Sequence, residues 1–177
     1  MRENIWLRNI IFVLFQPLIP PVGILPTVIH EGAHYVAAII AGVPISQIKV
    51  GWYGLGPGVS IPSSIPEKYW ALFFYSGGLF SALVLLVIYF LYFLRLYSRH
   101  PTTTNWMMGA AVALSFYIQL SMGILEGIYH ENYPLHLNDL WMIGGGLLAV
   151  AVHTLVFYLV FLRRRHSASL QAGQQQD

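Results

Sequence analysis

The chain has 177 residues and a net charge of +2, with 56% hydrophobic and only 9% charged residues. Soluble domains carry about 25% charged residues, and their helices show a polar face that is missing from the long apolar runs here. Composition therefore excludes an ordinary soluble domain and predicts a polytopic membrane protein. The sequence has no cysteine, so disulfides and thiolate metal sites are excluded. No basic patch with interleaved aromatic residues indicates nucleic acid binding.

The first forty residues contain an uncharged run from residue 9 to 29 that several prolines interrupt. We divide this run at Pro20-Pro21, because proline inside a helix removes a backbone hydrogen bond and clashes with the preceding turn. The division predicts an N-terminal apolar segment over residues 5–19 and a helix over residues 22–41. No small-residue cleavage site precedes Pro20, so we expect the first segment to be retained. Whether it spans a bilayer fully stays open.

The predicted helix over residues 22–41 contains the sequence His30-Glu31-Gly32-Ala33-His34. Residues four apart share one face of a helix, so both histidines can bind a single metal ion, while Glu31 can act on a water beside it. Three ionisable groups in an apolar segment would cost several kcal/mol if nothing compensated them. A bound cation is the simplest compensation, and zinc suits these ligands best. The motif predicts a metal-dependent hydrolase.

The segment after this helix is rich in strand-forming residues. Residues 45–53 alternate in part, Gly54 to Gly58 turn the chain, and Val59-Ser60-Ile61 follow. We expect a small membrane-associated β-hairpin or re-entrant loop. Non-helical backbone at membrane depth must be satisfied by protein or by a water-filled cavity, so such a hairpin would line something polar. An ordinary surface loop is the alternative.

Three further uncharged runs cover residues 70–94, 106–125 and 140–162, each near or above the ~20 residues that cross a bilayer. With the motif helix they predict an all-α polytopic membrane protein with about four transmembrane helices. Residues 1–166 would form a single membrane-embedded domain, and residues 167–177 a disordered tail. Arg95, Arg99 and the arginines at 163–165 follow two of the runs, which predicts a cytoplasmic C-terminus.

A catalytic zinc site needs at least a third protein ligand. The candidates lie between the last two runs and are Glu126, His130, Glu131, His136 and Asp139. We favour Asp139, because a carboxylate at the head of an apolar span is costly without a functional partner. Its alternative role is that of a helix N-cap, which needs no metal. The loop histidines are more typical of solvated side chains.

Taken together, these motifs resemble the site-2 protease family of intramembrane zinc metalloproteases. The likeness rests on the His-Glu-x-x-His helix with its small-residue continuation, the glycine-bearing hairpin, and Ser76-Gly77-Gly78 in the next run. It ends with Asn132-Tyr133-Pro134 and Leu137-Asn138-Asp139-Leu140, although the family's Asp is normally followed by Gly. Familiar members have an active site nearer the cytoplasmic face, whereas the charges here put His34 in the other half.

The resemblance implies a zinc-dependent endopeptidase in which His30, His34 and Asp139 hold one zinc ion per chain and Glu31 is the general base. Its substrate would be a membrane-embedded segment of another protein within the lipid bilayer. Two alternatives stay open: a membrane zinc transporter and a catalytically inactive protease-like scaffold. Oligomeric state is not predicted.

Overall fold

The computed structural model describes residues 24–53, 56–61, 65–100, 102–130 and 135–174. Its elements are α1 (Ile24–Ile40), β1 (Lys49–Tyr53), β2 (Gly56–Ser60), α2 (Trp70–Ile88), α3 (Leu94–Arg99), α4 (Thr103–Tyr129) and α5 (Leu135–Gln174). A π-helical segment, Tyr89–Phe93, joins α2 to α3. This mostly helical fold with one small sheet agrees with the predicted helices and hairpin, whereas insertion into a membrane stays a prediction. The predicted apolar segment over residues 5–19 lies outside the described residues.

Among the described residues, three helices are long and apolar enough to cross a membrane. They cover Glu67–Leu91, Thr104–Tyr129 and Ile143–Arg163, close to the three predicted runs. The described part of helix α1 is also apolar and has 17 residues, which corresponds to ~25 Å against a hydrocarbon core of about 30 Å. Of the four predicted transmembrane helices, three therefore meet the criteria of length and composition within the described residues.

Helix α1 ends within one residue of the predicted boundary at residue 41, and Gly42 follows it. Gly42 has φ +85°, a left-handed conformation that suits glycine. The amide of Gly42 donates to the carbonyl of Ile39 at 2.9 Å. The amide of Val43 donates to the carbonyl of Ala38 at 3.0 Å. These two bonds form a Schellman motif, which satisfies carbonyls at the end of the helix.

The predicted hairpin is present. Strands β1 and β2 pair antiparallel, with Val50 opposite Val59 and Trp52 opposite Pro57. Strand β2 begins at Gly56, so Pro57 and Gly58, expected in the turn, belong to the strand. Proline is tolerated there because β2 is an edge strand. The hairpin connects α1 to α2, and β2 packs on α1.

Helix α2 packs against α1 on one side and against α4 on another, and α4 packs in turn against α5. The α2–α4 contact is closest where Gly78 meets Gly123, because a Cβ added to Gly78 would overlap the backbone of Gly123. Small residues at such crossings let two membrane helices approach closely. The two helices run antiparallel, so this crossing brings the first half of α2 beside the last half of α4.

Helix α5 is described as far as Gln174, and the disordered tail over residues 167–177 stays a prediction. Alanine, leucine and glutamine in this stretch are strong helix formers. Extending an existing helix also needs no new nucleus, which is the costly step in helix formation. Residues 175–177 lie outside the described part of the chain.

Candidate metal centre

The two motif histidines lie together on the buried face of α1. His30 and His34 are 3% and 8% exposed, and their Nε2 atoms are 3.0 Å apart. The buried residues of α1 follow the helical repeat, since Pro26, His30 and His34 are four apart and turn toward α2 and α4. The prediction that both imidazoles share one face is confirmed.

A carboxylate from α4 completes a group of three. Glu126 Oε2 lies 3.3 Å from Nε2 of His30 and 3.5 Å from Nε2 of His34. This oxygen is buried and has no hydrogen-bond partner in the described part of the chain. His30, His34 and Glu126 are therefore placed so that one ligand atom from each could hold a metal ion.

In each of the two imidazoles, the hydrogen bond at Nδ1 orients the ring so that Nε2 faces the other two residues of the group. His34 Nδ1 lies 2.8 Å from the backbone carbonyl oxygen of Phe73, which can only accept, so Nδ1 carries the hydrogen. His30 Nδ1 lies 2.8 Å from Gln119 Oε1, which is also an acceptor. In the neutral rings, both Nε2 atoms then present lone pairs, as metal-binding histidines do.

Three electron-pair donors, all of them hydrogen-bond acceptors, thus converge without a hydrogen between them, an arrangement that favours a cation. A tetrahedral zinc ion with ligand bonds of about 2.0–2.1 Å separates its ligand atoms by about 3.3 Å. The distances among Nε2 of His30, Nε2 of His34 and Glu126 Oε2 are 3.0, 3.3 and 3.5 Å. Two histidines with one glutamate are also a donor set of known catalytic zinc sites. The residues present fit zinc.

Gly77 of α2 leaves the space beside these atoms free. A Cβ added to Gly77 would overlap Nε2 of His34 and come within 2.6 Å of Nε2 of His30. Any side chain at position 77 would therefore displace the two imidazoles. Glycine at position 77 therefore keeps the centre open, which gives a function to the Ser76-Gly77-Gly78 sequence.

Buried polar side chains support the centre from the bundle core. The Ser81 hydroxyl lies 2.6 Å from Gln119 Oε1, the oxygen that also meets His30. Ser81 is fully buried and Gln119 is 1% exposed. Gln119 and Glu126 are seven residues apart on α4, so both project from the same face toward the histidines.

Glu31 faces the hairpin. Its Oε2 accepts a 2.8 Å hydrogen bond from the backbone amide of Val59 in β2. This amide therefore points away from β1, which makes Val50 and Val59 a non-hydrogen-bonded pair of the ladder. By the alternation of the ladder, Pro57 has the same orientation and has no amide hydrogen to offer. The Glu31 carboxylate therefore accepts the outward-facing amide hydrogen of Val59 at this edge of β2.

Among the predicted third ligands, the structure brings Glu126 to the histidines. The side chain of Asp139, like Glu131 and the side chain of His136, lies outside the described part, so its role stays a prediction. The ring of His130 packs against Phe74, with centroids 4.4 Å apart. Gln119 and Ser81 were not predicted, although a polar amide within an apolar run was a signal that could have identified Gln119.

Comparisons with known proteins yield no relative: no family model matches the sequence, and neither a curated protein nor a solved structure matches it. The likeness to the site-2 protease family therefore depends on the sequence motifs alone. What the centre can do must be argued from its own geometry.

Proposed function

We propose that this protein is an intramembrane zinc endopeptidase, similar to the site-2 proteases, that cleaves membrane-embedded segments of other proteins. The observation that carries the proposal is the convergence of Nε2 of His30, Nε2 of His34 and Glu126 Oε2 within 3.5 Å of one another. We assign Glu126 as the third ligand ahead of Asp139, because its buried oxygen has no hydrogen-bond partner in the described residues.

The zinc ion and the side chains of the protein would have separate roles in peptide hydrolysis. Zinc, when bound, supplies a Lewis acid that activates water and polarises a peptide carbonyl. Glu31 is the general base: it takes a proton from the attacking water and passes it to the leaving amine. The hydrogen bond from Val59 to Oε2 holds this carboxylate in place and leaves Oε1 for the proton. Gly77 keeps the approach to the histidine nitrogens clear.

The centre would lie near one face of the membrane. Phe73 and Gly77 are three and seven residues after Trp70, where α2 begins, which corresponds to about 5–10 Å along the helix axis. Arg95, Arg99 and Arg163 lie at the opposite end of the same bundle. By the positive-inside rule the arginine end and the C-terminus would be cytoplasmic, with the metal centre in the other half.

The hairpin would bind the substrate segment in an extended form. A transmembrane helix must unwind before its carbonyls become accessible, and pairing with a strand edge supplies new backbone partners. Glu31 and Pro57 close the outer edge of β2, so we assign the pairing to the outer edge of β1, and the bond to be cleaved would lie beyond the paired stretch, toward Glu31. Val50 and Trp52 on β1 are 66% and 69% exposed.

Zinc transport is the main alternative, and the grouping of ligands argues against it. A transporter passes its ion along successive polar sites within the membrane. Within the described ranges, the metal-capable residue types form one such group, that of His30, His34 and Glu126. A single buried centre suits an ion that stays bound.

The test combines metal content with cleavage. Detergent-purified wild type and Glu31→Gln would be analysed for zinc and incubated with labelled casein, whose unfolded chain needs no unwinding. We expect about one zinc per chain in both proteins, and a loss of cleavage of roughly 10²–10⁴-fold in Glu31→Gln. Full cleavage by Glu31→Gln would refute the mechanism. A wild type that binds zinc but does not cleave casein would favour the inactive scaffold. Transport of zinc into proteoliposomes that contain the protein would favour the transporter instead.

A further inference from the structure

An apolar cavity of about 370 Å³ lies in the other half of the bundle, away from the metal centre. Its walls come from the end of α2, the π-helical segment, α4 and α5, through side chains that include Leu86, Phe90, Phe116, Leu148 and Val152. The proposed protease mechanism makes no use of this space.

The polar side chains in the wall are engaged with other protein groups. His153 is 1% exposed, and its Nδ1 lies 2.8 Å from the Tyr89 hydroxyl. On the other side of the ring, Nε2 lies 3.0 Å from the carbonyl oxygen of Trp106. The Tyr117 hydroxyl donates to the carbonyl oxygen of Trp141 at 2.6 Å. A ligand in the cavity therefore meets hydrocarbon walls rather than polar groups that need a partner.

The size of the cavity decides between two apolar occupants. A helix about 10 Å in diameter would fill 370 Å³ with less than one 5.4 Å turn. A transmembrane helix of a partner is therefore too large, whereas a flexible hydrocarbon chain is narrow enough to enter. The occupant that a bilayer supplies in excess is the acyl chain of a lipid.

One end of the cavity lies toward the end of the bundle that carries Arg95 and Arg163. Leu94 lines the cavity and Arg95 follows it directly. Val156 lines the other wall, and Arg163 comes seven residues later on α5, about 10 Å along the axis. Lipid headgroups begin where the hydrocarbon core ends and occupy the next ~5–8 Å. A chain in the cavity would thus place its phosphate near the guanidinium groups, which bind phosphate well.

We propose that this cavity binds one acyl chain of an anionic phospholipid, whose phosphate lies at Arg95 and Arg163. This inference depends on the membrane location within the proposed function and not on the zinc chemistry. A lipid in this cavity would be bound more tightly than a lipid on the exposed faces of α5, because α2 and α4 also contact its acyl chain.

Photo-crosslinking tests the chain-binding part. Full-length protein would be reconstituted in bilayers that contain phosphatidylglycerol with a diazirine on one acyl chain, and crosslinked peptides would be mapped by mass spectrometry. Ala149→Phe fills the cavity from α5, and Ala113→Leu fills it from α4. Leu147→Phe is the matched control, because Leu147 is 69% exposed on α5 and does not line the cavity.

We expect crosslinks to residues 86–94 and 145–156 in the wild type and in Leu147→Phe. Each cavity-filling variant should lower them about tenfold, which corresponds to about 1.4 kcal/mol. Equal labelling of the filled variants and the control would overturn the proposal and leave only unspecific lipid contact.

Competition tests the headgroup. Unlabelled phosphatidylglycerol should displace the probe better than phosphatidylcholine in the wild type, and this preference should disappear in the double variant Arg95→Gln, Arg163→Gln. No preference in the wild type would overturn the assignment of an anionic headgroup. Since neither readout uses zinc or cleavage, a failure of the protease proposal would be distinguishable from a failure of this one.

Discussion

Gln119 Oε1 lies 2.8 Å from Nδ1 of His30, although 89 residues separate the two along the chain. The same oxygen lies 2.6 Å from the hydroxyl of Ser81, so one amide on α4 joins α1 to α2 at the metal centre. This contact orients the imidazole and directs its other nitrogen toward His34 and Glu126. We therefore expect Gln119 to support metal binding although it is not among the proposed ligands.

Replacing Gln119 by Ala should weaken metal binding without removing a ligand. Loss of an outer partner of a metal-binding histidine typically lowers affinity 10–100-fold. Competition with a chromogenic zinc chelator measures this change. Ser121→Ala is the control, because that buried hydroxyl on α4 accepts from Trp141 and does not contact the histidines. Equal zinc affinity of Gln119→Ala and Ser121→Ala would contradict the orienting role.

The third ligand can be identified by comparing two carboxylates. Glu126→Gln keeps the shape of the side chain but removes its charge, so the zinc content should fall well below one per chain. Asp139→Asn should retain zinc if Glu126 is the ligand. Elemental analysis of both variants beside His34→Ala gives the answer. Retention of zinc by Glu126→Gln together with its loss in Asp139→Asn would return the assignment to Asp139.

Gly77→Ala should abolish metal binding because the new Cβ would overlap Nε2 of His34 and displace both imidazoles. The matched control is Gly32→Ala, within the motif itself, where an added Cβ has no atom within 4 Å. That control should keep its zinc and gain up to about 1 kcal/mol of helix stability. Zinc content and thermal unfolding, measured on both variants, test the pair. Normal zinc in Gly77→Ala would show that the centre is wider than the structure indicates.

Val59→Pro should separate the hairpin from Glu31. Proline removes the amide hydrogen that Glu31 accepts, while the ladder bonds to β1 are made by neighbouring residues and persist. Hydrogen bonds to charged groups contribute about 1.5–3 kcal/mol, so cleavage should fall tenfold or more with zinc content unchanged. Val59→Ala keeps the amide and should cleave like the wild type. If both variants cleave alike, the amide does not position the base.

His153→Phe should destabilise the bundle without affecting zinc. The imidazole connects α5 to Tyr89 and to the Trp106 carbonyl inside the bundle. Interhelical hydrogen bonds in membranes average about 0.6 kcal/mol and reach about 1.7 kcal/mol, so a loss of about 1 kcal/mol is expected. Thermal unfolding in detergent measures it, with Tyr89→Phe as the variant that removes one of the two bonds. A smaller effect in His153→Phe than in Tyr89→Phe would refute this role.

Several features follow from short stretches of sequence. The end of α1 at Gly42 depends on a left-handed residue within one turn of the helix, and the face shared by His30 and His34 depends on their spacing of four. The apolar runs and the hairpin are likewise readable from local composition and alternation. Such features involve residues close in the chain, so their physical causes are present in the sequence itself.

Only the tertiary structure shows which distant groups among the described residues lie beside the two histidines. Glu126 and Asp139 were both plausible ligands, because an isolated carboxylate near an apolar span indicates a partner but not which partner. The crossing of α2 over α4 at Gly78 and Gly123 brings Glu126, Gln119 and Gly77 to the histidines. These contacts depend on how helices pack across long separations, and no local pattern encodes that packing.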